Sequence, residues 1–119
     1  MTNKKFSILS FKFALDGIIA ALKAEPNLKF HILIGLLVAL LSFFLNISRQ
    51  DWVVVIMIIG FVIAVELTNT SIETVVDHFT ENPHPGAKLA KDISAGAVLV
   101  SALTAAIVGI LIFTPYIFR

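Results

Sequence analysis

Apolar residues fill three stretches of the chain, Phe30 to Ile47, Trp52 to Val65 with its continuation, and Ile93 to Phe118, and polar residues fall mostly before and between them. The middle stretch has no charged side chain over the fourteen residues before Glu66. A helix running on from it to Phe79 exceeds the roughly 20 residues needed to cross hydrocarbon. The pattern predicts an all-α membrane protein with spanning helices over 29–46, 51–79 and 87–114, in one domain over 1–119.

Ahead of the spans, Lys5, Lys12, Asp16 and Lys23 share one narrow helical stripe, and Phe6, Ile8, Phe11, Phe13, Leu15, Ile18, Ile19 and Leu22 occupy the rest. Such a helix over 5–24 suits the membrane interface, its lysines reaching the headgroups. A plain anchor with no part in chemistry fits the same pattern. Glu25-Pro26-Asn27 breaks this helix, because proline disfavours helical geometry in the residue before it. The turn from Asn46 to Asp51 is short, which forces antiparallel neighbours, and Asp51 is a candidate cap for the second span. Asn82-Pro83-His84-Pro85-Gly86 ends that span in a loop. Ala95, Ala102, Ala106 and Gly109 form a small-residue stripe on the third span, suited to close packing within one chain or between chains.

Composition agrees with the pattern. At 119 residues, 58% hydrophobic and 14% charged, with a mean hydropathy of +0.96, the chain has too little interior to hide its apolar surface from water. A net charge of +1 gives no field for nucleic acid. Charge position says more than charge sum. Lys4, Lys5, Lys12, Lys23 and Lys29 precede the first span and Lys88 and Lys91 lie between the second and third, whereas Arg49 and Arg119 fall on the opposite side. The positive-inside rule then places the N-terminus and the loop from Phe79 to Lys91 in the cytoplasm. Lys12, Asp16 and Lys23 interrupt any apolar core of a cleaved signal. Absence of cysteine removes thiol nucleophiles and thiolate metal sites.

Candidate chemistry is concentrated after Val65. Glu66, Asn69, Thr70, Glu73 and Asp77 are spaced three or four apart and share one face of the second span. An acidic group at a helix centre costs about 2.5–3.5 kcal/mol on insertion scales, so such a face points to a bound cation or a catalytic use. Pairing with lysines across a bundle is the bland alternative. A proton or cation pathway would use the Glu66, Glu73 and Asp77 ladder too, although the acids cluster toward one end and Trp52 to Val65 offers no polar relay to the other. Lys88, Lys91 and Asp92 open the third span at the same level. Together with Glu25 they complete an inventory for phosphoryl transfer: carboxylates for a divalent cation, a lysine for phosphate, and a spare carboxylate for a hydroxyl proton. Neither a G-x-x-x-x-G-K-[ST] loop nor a kinase glycine-rich loop is present, so phosphate must be held by side chains. His78 and His84 are candidates for the nucleotide base, and His31 for headgroups; each is also a plausible bystander.

The run Glu66-Leu67-Thr68-Asn69-Thr70-Ser71-Ile72-Glu73-Thr74-Val75-Val76-Asp77, followed by Ala90-Lys91-Asp92-Ile93-Ser94-Ala95-Gly96-Ala97-Val98-Leu99, resembles the bacterial diacylglycerol kinase and undecaprenol kinase family over nearly the whole chain. The resemblance implies a lipid kinase of the bacterial plasma membrane, a homotrimer with active sites shared between subunits, which uses ATP with Mg2+ on a lipid alcohol entering from the bilayer. By the same resemblance Glu66 is the catalytic base, Glu25 and Glu73 bind the metal, and Asn69, Lys91 and Asp92 contact the nucleotide or hold Glu66. Phe13 falls near the nucleotide, Asn82 to His84 match the loop that approaches its base, and Asn27 joins Glu66 at the lipid. The corner Glu25-Pro26-Asn27-Leu28-Lys29-Phe30-His31 resembles the E-R-N-x-R-x-H of Gram-positive members, which favour undecaprenol over diacylglycerol; Pro26 stands where that pattern has arginine.

Overall fold

The computed structural model describes residues 6–119, with side chains from Ile8 onward. The readings placed on Lys4, Lys5 and the side chain of Phe6 lie outside the described residues. Four helices follow one another, α1 (Phe6–Ala24), α2 (Pro26–Leu45), α3 (Arg49–Phe79) and α4 (Pro85–Ile117). The last three are each long and apolar enough to cross a membrane. Their outward faces carry large exposed apolar side chains, among them Phe43 at 71%, Phe44 at 74% and Leu111 at 70%, a surface suited to hydrocarbon.

The helix ends differ from the sequence expectation in ways the caps explain. α2 starts at Pro26, not near Lys29, because a proline at the first helical position lacks only an N–H that would have no intrahelical partner anyway. Glu25 is thereby left as the single residue between α1 and α2, extended at φ −112° and ψ 108°, and its carboxylate makes no capping bond. At the far end of α2, Asn46 adopts the left-handed region at φ 53° and ψ 53°, and the N–H groups of Asn46 and Ile47 donate back to Phe43 O and Ser42 O.

The cap of α3 is Ser48, not Asp51. Ser48 has extended backbone and its Oγ accepts the Asp51 N–H at 3.1 Å, so the helix opens at Arg49 and Asp51 already lies inside its first turn. An acidic residue there still favours the positive helix end. α4 opens at Pro85, two residues before the expected start, with His84 Nδ1 accepting the Gly86 N–H at 3.0 Å. It runs past residue 114 to Ile117 through Pro115, whose missing N–H leaves the Leu111 carbonyl without its usual i+4 donor close to the helix end.

α3 is the spine. α2 and α4 pack on it from two sides with at most marginal contact between them, and α1 lies against α2 and α3. Gly35 permits a close approach of α2 to α3, since a Cβ there would meet Ile59 Cγ2 at 3.0 Å. Ile47, Val55 and Phe113 form the core near the 46–48 turn, where the end of α4 is clasped. Tyr116 donates its hydroxyl to Asp51 Oδ2 at 2.6 Å and accepts the Ser48 N–H at 2.9 Å, while Arg119 Nη2 donates to Leu45 O at 3.2 Å. Between them α2 and α4 leave an apolar groove of about 640 Å3 floored by α3. Ala102, Ala106 and Gly109 of the small-residue stripe line it, whereas Ala95 is exposed outside it.

Candidate active site

Helical spacing sets Glu66, Asn69, Glu73 and Asp77 along α3 as a graded series. Glu66 is 2% exposed and Asn69 8%, Glu73 is half-buried, and Asp77 is exposed near the 80–84 loop. The series thus runs from the bundle interior toward the loop end. The hydroxyls of Thr68, Thr70 and Thr74 turn back to carbonyls four residues earlier in the same helix, Thr70 to Glu66 O at 3.0 Å, so they are satisfied locally and offer little to a ligand.

Glu66 has an unusual environment. Among the described residues its Oε2 is the only buried side-chain oxygen or nitrogen atom without a hydrogen-bond partner. The nearest basic atom is His31 Nε2 on α2, at 3.6 Å. Glu25 and Glu73 lie within electrostatic range of Glu66. His31 also lines the apolar groove, and the one other polar residue lining it, Thr114, gives its hydroxyl to Ile110 O. The groove therefore ends, at the loop side, on a histidine beside a buried carboxylate.

One step toward the loop, Ser94 of α4 donates to Asn69 Oδ1 at 2.7 Å, and Asn69 Nδ2 donates to Glu73 Oε1 at 3.2 Å. The serine fixes which end of the amide faces the glutamate. A further step on, Lys91 donates to Asp77 Oδ1 at 2.8 Å and Lys88 to Asp92 Oδ2 at 2.6 Å. Asp92 is thus paired with Lys88 and does not hold Glu66, and Lys91 meets the acidic face at Asp77, not at Glu73. Asn82 and His84 line a second, shallow cleft of about 690 Å3 with Asp77, Glu81 and Lys88. His84 uses a ring nitrogen to cap α4, and His78 bonds Thr74 O of its own helix at 2.9 Å. Phe13 on α1 and Asn27 at the corner are both exposed.

Among the described residues no three His, Cys, Asp or Glu side chains converge on a metal. Magnesium does not require it, since it commonly binds through one or two carboxylates with nucleotide phosphates and water completing its shell. The uncapped Glu25 carboxylate and the amide-anchored Glu73 suit that chemistry. Ser94 carries no signal in the sequence pattern, and His31, a sequence candidate for headgroups, lies beside Glu66.

The family described as prokaryotic diacylglycerol kinase matches residues 12–113. An undecaprenol kinase of Bacillus subtilis is 41% identical over 106 residues, which cover 89% of this chain and 86% of that protein. A diacylglycerol kinase of Synechocystis is 34% identical over 109 residues, 91% of this chain and 62% of that protein. One of Haemophilus influenzae is 32% identical over 108 residues, 89% and 92% of the respective chains.

Proposed function

Because the chain belongs to the prokaryotic diacylglycerol kinase family and is a lipid kinase, we propose that it moves the terminal phosphoryl group of ATP to the hydroxyl of undecaprenol, with Glu66 as general base. The observation that carries the assignment is the buried Glu66 Oε2, free of any hydrogen bond at the level where the apolar groove reaches His31. A carboxylate kept out of water and left without a donor is poised to take a proton from a hydroxyl delivered along the groove. As that O–H bond breaks, the lipid oxygen attacks the γ-phosphorus in line, and the bond to the ADP oxygen breaks with its electron pair.

Glu25 and Glu73 would hold Mg2+, whose positive charge would offset the negative charge of the triphosphate. Asn69 keeps Glu73 aimed, and Lys91, Asp92, Asn82, His84 and Phe13 are assigned to the nucleotide side, with Asn27 on the lipid side. Both lysines of α4 are engaged by aspartates within the chain. We infer a homotrimer in which a neighbouring subunit contributes further phosphate contacts. The lysine distribution supports a plasma-membrane protein with its N-terminus and 80–84 loop in the cytoplasm, where ATP is found, and α1 in the interface.

Two features favour undecaprenol over diacylglycerol. The relative that is 41% identical is an undecaprenol kinase. The groove also has no free hydrogen-bond donor below His31, so the two ester groups beside a diacylglycerol hydroxyl would lie there unsatisfied, at a cost of about 1–3 kcal/mol for each carbonyl. A polyisoprenol has no such groups. Initial rates with the two alcohols in the same mixed micelles test the assignment: undecaprenol should be phosphorylated faster, and a preference for diacylglycerol would overturn it.

A further inference from the structure

A proton taken by Glu66 has no direct way out. The side chain is 2% exposed, the Thr70 hydroxyl beside it is turned to Glu66 O, and the Asn69 amide is committed to Glu73 and Ser94. Toward the opposite end of α3, residues from Trp52 to Val65 carry no ionisable group. Unless the carboxylate is emptied, it can serve only one turnover.

His31 is placed to empty it. Its Nε2 stands 3.6 Å from the unpartnered Oε2, a separation that a small ring movement closes to hydrogen-bond reach, and its side chain is 19% exposed where Glu66 is not. The ring packs edge-on against Phe30, with centroids 5.9 Å apart, at the sixth residue of α2. Imidazole can accept on one nitrogen while donating from the other near neutral pH. Glu73 on α3 and Glu25 at the corner are the other ionisable groups in range of Glu66.

We propose that His31 is the proton relay of the reaction. After phosphoryl transfer the Glu66 carboxyl O–H bond breaks and an Nε2–H bond forms; the imidazolium then releases a proton to water at the membrane face. Glu66 returns to carboxylate for the next lipid. The relay rests on Glu66 being the base.

The test uses the full chain in lipid micelles and compares the wild type with His31→Gln, His31→Ala and Glu66→Gln. Glutamine can donate to Glu66 but cannot carry a proton through. His31→Gln should lower kcat by about tenfold or more while leaving both KM values within about twofold, and added imidazole should restore His31→Ala severalfold. Wild-type kcat in His31→Gln alongside an inactive Glu66→Gln would overturn the relay and leave the base standing. Loss in His31→Ala that imidazole does not relieve would reduce His31 to a packing role. An active Glu66→Gln would remove the base, and the relay with it.

Discussion

Ser94 donates its hydroxyl hydrogen to Asn69 Oδ1 at 2.7 Å, and this contact between α4 and α3 orients the amide that holds Glu73. Ser94→Ala leaves a buried acceptor without its donor, a loss of about 1–3 kcal/mol. It also frees the Asn69 amide to swing away from the Glu73 carboxylate it holds. Lower thermal stability should therefore accompany a higher magnesium concentration at half-maximal rate. An unchanged magnesium requirement would separate Ser94 from the site.

Gly35 lines the groove where α2 packs tightly on Ile59 of α3. Ile59 can yield a few tenths of an ångström to the Cβ of Gly35→Ala, but the branched side chain of Gly35→Val must push the helices apart. Gly35→Val should cost about 1–3 kcal/mol by overpacking and raise the KM for lipid more than that for ATP. Denaturation curves and two-substrate kinetics check both effects.

Tyr116 ties α4 to the 46–48 turn at the end of the bundle remote from Glu66. Tyr116→Phe removes one hydroxyl and two hydrogen bonds, worth about 1–3 kcal/mol together. The melting temperature should fall while kcat at moderate temperature stays at the wild-type value.

Lys91 and Asp77 are both substantially exposed, with side chains 38% and 56% accessible, so their ion pair adds little to stability. Asp77→Asn should leave the melting temperature nearly unchanged, whereas Lys91→Ala should raise the KM for ATP. Equal behaviour of the two variants in ATP titrations would argue against Lys91 as a phosphate contact.

Much of this architecture is legible in the sequence because hydrocarbon leaves a chain few options: backbone groups must bond within helices, and three long apolar runs become three spanning-length helices. Glu66, Asn69, Glu73 and Asp77 share a face because helical spacing alone decides it. The helix ends were harder to read, since Ser48 and Asp51 are both good caps and backbone geometry chooses between them. Ser94 is hidden for a related reason. Ser42 and Ser101 also lie buried in apolar helices, yet their hydroxyls return to Val38 O and Val98 O of their own helices. Nothing in the sequence marks Ser94 as the serine that crosses to a neighbour. The meeting of His31 with Glu66 depends on how α2 rotates against α3, which is set by the close approach at Gly35 and has no local signature.

The central claim is that Glu66 takes the proton from the lipid hydroxyl. Glutamine preserves its shape and removes its basicity, so the direct measurement is transfer of labelled γ-phosphate from ATP to undecaprenol by Glu66→Gln beside the wild type. A rate lower by about 100-fold or more, with ATP binding retained, is the expected result. Turnover near the wild-type rate would contradict it.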